Sequence, residues 1–366
     1  MKIPYVDIKQ QYKSERKELL NIIDKTLASG NWVGGKEVEQ FEKTIAKICK
    51  TKYCISLNSG TDALTLALHL LGVKRGDEVI TPPNSFIAST AVIAHLGAKP
   101  VFVDVKEDQN LDEEKIEEKI TKRTKAIMPV HLTGRMCSMD KIMQIAKKYN
   151  IPVIEDCAQS ILSQYKKKMS GSWGDVGCFS AHPLKNLNAA GDGGYLTTNN
   201  ESIYKKIKNL RTHGMDESRD NVKNFGYVSR MDNLQAAILN YRLKNLKKII
   251  DVRRKNVDLY LNKLNLKKIY FPKEKIEEFN TYHTFVIQVE KRNELKEFLK
   301  KKGIDTAIHY PVPIHLQTAS KYLNYKTGDF TETENQSKKI ITLPINQHLS
   351  KKEIYYICKS INHFYE

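Results

Sequence analysis

Between Tyr53 and Ser160 short apolar runs alternate with amphipathic ones, and this alternation constrains the fold more than any other feature of the chain. Residues 53–57, 78–81, 100–103, 126–130 and 151–155 read as strands. Residues 64–71, 86–96, 111–120 and 139–149, lying between them, read as helices. Short connections between a strand, a helix and the next strand bring successive strands back parallel. The expected fold class is therefore α/β, a mostly parallel sheet covered by helices on both faces. In such sheets ligands lie beyond the carboxyl ends of the strands.

Three stretches fall at those ends. Asn58-Ser59-Gly60-Thr61-Asp62 turns the first strand into a helix. Free amides and the positive end of the helix dipole would make it an anion cradle, and without a ligand the same residues are an ordinary helix cap. Asp156 closes the fifth strand. Two further strand-like runs, 175–179 and 195–198, enclose Ser180-Ala181-His182-Pro183-Leu184-Lys185 and a glycine-rich turn through Gly194. Proline and glycine this dense fix the path of a loop. A lysine held on it, partly desolvated, can act as an amine nucleophile. The chain has 60 Lys and Arg residues, however, so Lys185 gains weight only from its companions.

The rest of the chain frames this unit. Residues 9–28 and 36–50 read as helices joined by a glycine-rich segment, whose Trp32 either lines a pocket or packs the N-terminal arm. After a helix at 203–210, a polar loop at 211–226 leads into 227–237, and from there one long helix is expected to run to about 264. Pro272 lies near a domain junction. Beyond it a smaller α+β unit is expected, with strands at 284–289 and 306–309 and helices at 293–302 and 351–364. The expected domains are a large cofactor-binding one at 1–250 and a small one at 251–366.

Composition excludes several classes. The net charge of +18 invites a nucleic-acid reading. The excess is mostly lysine spread along helical faces, and no helix-turn-helix, zinc-finger or aromatic RNA-binding signature accompanies it. Six scattered cysteines without a CxxC pair argue against a disulfide framework or a zinc site, so no metal is expected. They fit a reducing cytoplasm, the expected location. The first residues lack the apolar core of a signal peptide. No apolar run approaches the roughly 20 residues of a membrane span.

A reactive lysine, a strand-end carboxylate and a phosphate cradle are what a pyridoxal phosphate enzyme needs. A nucleotide-binding doubly wound domain is the rival, but no GxGxxG or GxxxxGK[ST] follows the first strand. The stretches IPYVDIKQQY, GDEVITPPNSFIAST, VIEDCAQS, GDVGCFSAHPLKNLNAAGDGG, SRMDNLQAAIL and HYPVPIHLQ together resemble the sugar aminotransferases of the DegT/StrS group, within the fold type I pyridoxal phosphate enzymes.

That resemblance implies roles position by position. Lys185 would hold the cofactor covalently and shuttle the proton, and Asp156 would pair with its ring nitrogen. Gln159 would bond its phenolic oxygen, Gly60, Thr61 and Ser180 its phosphate, and Phe86 would stack on its ring. From the residues alone, Ser180 could equally cap a strand end and Phe86 could be core. The resemblance also implies a homodimer with shared active sites, in which Arg230 reaches the partner's site while His309, Tyr310 and His315 lie near the substrate. It implies transfer from L-glutamate to a nucleotide-linked ketosugar that feeds a surface glycan. The alternatives are a non-catalytic or regulatory member of the fold, or one of the related sugar dehydratases, which carry His in place of the lysine. Two departures stand out. Val228 replaces the usual Asn before the Ser-Arg pair, and Ala181-His182 replaces the usual aromatic approach to the lysine.

Overall fold

The computed structural model describes every residue except Met1, Glu217, Arg219 and Lys223; the last three fall within the loop expected at 211–226. The large sheet is built from β1 (Tyr53–Leu57), β2 (Glu78–Thr81), β3 (Lys99–Phe102), β4 (Thr124–Ile127) and β5 (Ile154–Asp156). A short hairpin, β6 (Gln164–Tyr165) and β7 (Lys168–Met169), precedes β8 (Val176–Ser180) and β9 (Gly194–Thr198). The order β3-β2-β4 is parallel throughout. The order β1-β9-β8-β5 has β9 antiparallel to both neighbours and β8 parallel to β5. Parallel bridges from Ile127 to Val153 and from Val130 to Asp156 join the two sets. The sheet is thus mostly parallel, as the alternation requires.

Strand alternation feeds a core on each face. On β8 and β9, Cys178 and Leu196 enter one core with Leu64 and Leu68 of α3 (Gly60–Leu70) and Ile203 and Ile207 of α6 (Glu201–Leu210). Their neighbours Phe179 and Tyr195 point the other way and stack on each other at 4.8 Å. There they meet Phe41 and Ile45 of α2 (Lys36–Cys49) and Leu239 of α7 (Asn233–Leu243). Helices α4 (Ala88–His95) and α5 (Met139–Tyr149) cover the rest of the sheet, and α1 (Ile8–Ala28) lies along α7.

A second core gathers Val257 and Tyr260 of α8 (Leu246–Lys263) with the antiparallel strands β10 (Ile269–Tyr270), β12 (Phe285–Val289) and β13 (Ile340–Leu343). Helices α9 (Arg292–Lys301), α10 (Thr331–Lys339) and α11 (Lys351–Phe364) flank it, and β11 (Glu278–Phe279) pairs back onto β6. Ile3 is buried in this core and forms a parallel bridge with Ile304. No helix among the described residues is long and apolar enough to cross a membrane.

Three expectations are corrected. Residues 111–120 form two short 3-10 turns, Glu113–Lys115 and Glu117–Lys119, rather than a helix. The Glu113 carboxylate turns inward to the ammonium groups of Lys106 and Lys141, which ties down a residue that a longer helix would leave free. The single long helix expected to run to about 264 is divided at Lys244 and Asn245 into α7 and α8. The division lets Leu246 and Ile250 pack in the core of Phe41 and Ile45 while Val257 and Tyr260 enter the second. Residues 306–309 make only one bridge, Ala307 to Thr342, because Pro311 and Pro313 follow and cannot extend a ladder. The strand that this segment touches is β13, through Thr342.

The start of α3 lies hard against β8 and β9. A Cβ on Gly194 would sit 2.1 Å from the Ser59 carbonyl carbon, and one on Gly60 would sit 2.8 Å from Ser180 Cβ. Gly194→Ala is expected to lower the urea unfolding free energy by at least about 2 kcal/mol, because backbone rather than a flexible side chain must move. An unchanged unfolding midpoint followed by circular dichroism would contradict this close approach.

Candidate active site

A cavity of about 380 Å³ opens at the carboxyl ends of β1, β5 and β8, where an α/β sheet places ligands. Gly60, Thr61, Phe86, Asp156, Gln159, Ser180, Lys185, His309 and Tyr310 all line it. Expected residues between Gly60 and Lys185 therefore converge with His309 and Tyr310.

The lysine loop is held by bonds from several elements. Ala181 N–H donates to the Gly193 carbonyl at 2.8 Å, and Ala189 N–H to the Ala181 carbonyl at 2.7 Å, closing the loop on itself. Arg242 of α7 donates to the carbonyls of Asn188 and Ala189 and is paired with Glu15 of α1 at 2.7 Å. Asn188 exchanges amide bonds with Gln11 at 3.1 Å. Lys185 is thus presented by a fixed backbone. Burial pushes its amine down to about 8, although the Asp156 carboxylate pulls the other way. The amine is deprotonated far more readily than an ordinary lysine and can act as a nucleophile or take up a proton.

The carboxylates at the end of β5 divide the work. Glu155 is fully buried and accepts from the backbone N–H groups of Gly171, Trp173 and Gly174 at 2.7 to 3.0 Å. His131 lies 3.0 Å from it through Nε2, while His131 Nδ1 accepts from Cys137 N–H. The proton is therefore on Nε2, which donates to Glu155. Cys157 stands close to this pair, but their ligand atoms are already engaged by N–H donors, which leaves no lone-pair set aimed at a cation. Asp156 faces the cavity, accepting from Ser89 Oγ at 2.8 Å and Ala158 N–H at 3.1 Å. Burial raises its carboxyl above the usual range against these bonds and the nearby Lys185. A cationic ring nitrogen opposite it would favour the charged form.

At the other end of the cavity, Ser59 caps α3 by accepting from Asp62 N–H at 3.0 Å. The amides of Gly60 and Thr61 belong to the first turn, where no intrahelical acceptor exists. With Ser180 beside them they form an anion cradle. Gln159 has its Oε1 occupied by Thr133 N–H at 2.7 Å, so its amide hydrogens are the groups left to donate. Phe86 is 58% exposed at the rim, with its ring 6.3 Å from that of Tyr310.

Two expected residues lie elsewhere. His315 is buried with its ring against Phe330, and its Nε2 bonds Glu334 at 3.1 Å; it does not line the cavity. Arg230 is not among the residues around the cavity of its own chain, and its Nε is buried without a partner. Val228 is half exposed, and its carbonyl accepts weakly from Asn58. Sequence reasoning missed Ser89 and His283, both of which line the cavity. Neither carries a local signature, although Ser89 falls just beyond the turn that follows β2.

Comparison with known proteins agrees with this geometry. The model of the DegT/DnrJ/EryC1/StrS aminotransferase family matches residues 13–362. A dTDP-3-amino-3,6-dideoxy-alpha-D-galactopyranose transaminase of Aneurinibacillus thermoaerophilus is 40% identical over 99% of both chains. A pleiotropic regulatory protein of Geobacillus stearothermophilus is 37% identical over 100% of this chain and 99% of its own. Among solved structures, S. venezuelae DesV in complex with a ketimine intermediate has a TM-score of 0.96 at 35% identity, covering 100% of this chain and 99% of that one. The fold is that of the fold type I aminotransferases, and the chain belongs to the DegT/DnrJ/EryC1/StrS aminotransferase family.

Proposed function

We propose that this aminotransferase uses pyridoxal phosphate to move an amino group from L-glutamate to the keto carbon of a nucleotide-linked sugar. The observation that carries the reading is Lys185 set opposite the buried Asp156 in a cavity whose far end is the amide cradle of α3. A phosphate on the cradle, a ring nitrogen at Asp156 and an aldehyde at Lys185 would satisfy all three groups at once. When bound, the cofactor supplies an electron sink for the carbon that loses its proton. The chain supplies the rest. Lys185 Nζ would hold the aldehyde between turnovers and carry the proton, Asp156 would keep the ring nitrogen charged, and the Gln159 amide would donate to the phenolic oxygen. Phe86 at the rim would stack on the ring.

The sugar substrate is inferred from the relative that is a dTDP-sugar transaminase. The net charge of +18 would favour an anionic diphosphate. The proposed large unit, 1–250, and small unit, 251–366, would meet at the cavity, because Lys185 comes from one and His283, His309 and Tyr310 from the other. A homodimer with shared sites would account for Arg230, which is unpaired at Nε and absent from the lining of its own cavity. A cytoplasmic location would suit both substrates. The relative named as a regulatory protein favours a second, non-catalytic reading; the presence of both Lys185 and Asp156 weighs against it, and the lysine weighs against a dehydratase.

Lys185→Ala is expected to reduce amino transfer at least about a thousandfold, measured by mass spectrometry of aminated product across a panel of dTDP- and UDP-linked ketosugars. Turnover at the wild-type rate would remove the residue from its role. In cofactor-free protein, labelling of Lys185 by an amine reagent should rise with pH through about 8. Asp156→Asn should shift that rise to lower pH, since the carboxylate's charge is what holds the amine up. Peptide mapping that put the midpoint above 10 would contradict the desolvated amine.

A further inference from the structure

The turn at 106–110 meets the segment that enters β12 around a small cavity of about 10 Å³. Gln109, Asn280 and Thr284 line it and are 4%, 1% and 2% exposed. Gln109 Nε2, Asn280 Oδ1 and Thr284 Oγ1 are buried, and none has a hydrogen-bond partner among the described residues. Asn280 Nδ2 donates to Glu278 at 3.4 Å, which leaves Oδ1 as the free end of that amide. Phe271 and Val286 complete the wall and offer no polar atom from their side chains.

Buried polar groups in a folded chain are bonded, to protein or to ordered water. Three unmet ones around a single space point to a common partner. Gln109 offers a hydrogen, Asn280 a lone pair, and Thr284 either. A cation would leave the Gln109 donor unmet, and an anion would leave the Asn280 lone pair unmet. Arg135 also lines the cavity, but Glu278 at 2.6 Å already balances its charge. The group that satisfies all three is neutral, gives and takes hydrogen bonds, and fits a space of about one water molecule.

We propose that this cavity is the binding site of one internal water, which accepts from Gln109 Nε2, donates to Asn280 Oδ1 and completes its set at Thr284 Oγ1. Three bonds are the usual number for a buried water. The segments it joins also wall the active cavity. Thr284 follows His283, which lines that cavity. Thr133 lines the small cavity; its carbonyl accepts from Thr284 N–H at 3.4 Å, and its own N–H holds Gln159 at 2.7 Å. Thr281 N–H donates to the Gly134 carbonyl at 3.1 Å, so direct bonds already stitch 133–134 to 281–284. The water ties the turn of Gln109 to the same junction. Its role is to position these walls, and it takes no part in the reaction.

High-resolution diffraction from crystals of the wild-type protein should show one isolated density peak within hydrogen-bond distance of all three atoms. A featureless cavity would overturn the site. An anomalous peak there after soaking in rubidium or bromide would assign it to an ion and overturn the water. Thermal unfolding gives an independent test through its sign. Thr284→Val removes the hydroxyl and keeps the shape of the side chain. If the hydroxyl is bonded to water, the variant should melt about 1 to 2 °C lower. If the hydroxyl is an orphan, its removal relieves an unmet buried group, and a midpoint unchanged or raised would sink the proposal. Gln109→Met and Thr284→Val act through one molecule, so the double variant should lose less than the sum of the single losses. Strictly additive losses would contradict a shared water. Should Gln109→Met fail to fold, diffraction and the sign for Thr284→Val decide.

Discussion

Two adjacent carboxylates at the end of β5 set the terms for the site. A strand must send Glu155 and Asp156 to opposite faces. Glu155 is accepted into the protein because three backbone amides and the His131 ring saturate it. Those amides belong to the turn at 171–174, which leads directly into β8 and so to Ser180 and the lysine loop. A slip of one residue would take the charge out of its amide seat and strand it in the cavity, at a cost of several kcal/mol. Asp156 therefore faces the cavity because its neighbour is locked behind it. The carboxylate that faces the cavity is positioned by one that does not.

The same logic explains what could be read from the sequence. Residues 139–149 and 351–364 were legible to the residue, since strong periodicity there is closed by a left-handed Asn150 in one case and opened by a Ser350–Glu353 capping box in the other. The turns at 111–120 were not, because a buried Glu113 answers to lysines brought in by the fold. In the site, Gly60, Thr61, Asp156, Ser180 and Lys185 were legible because sheet geometry alone puts strand ends together. Ser89 and His283 had no such marker. Each matters only through a partner, or a missing partner, far away in the chain. His315 shows the converse: within a few residues of His309 the chain has turned, and its ring faces Glu334 and Phe330 instead of the cavity.

Local and global charge tell different stories. The net charge of +18 is a property of the whole surface, and salt screens such fields within roughly 10 Å. The charge of a buried group such as Lys185 is screened far less, so it persists where the surface field fades.

The N-terminal arm has a consequence for how the protein is made. Ile3 bridges to Ile304, Tyr5 lines a small recess with Asn346, and Gln11 bonds Asn188 in the lysine loop. Ile3 and Tyr5 thus wait for partners that are synthesised far later in the chain, around Ile304 and Asn346. The sheet can assemble as it emerges, but the site cannot be finished until those residues have followed. A truncated product would carry the lysine, the carboxylate and the cradle, and would still lack the walls that bring a substrate to them.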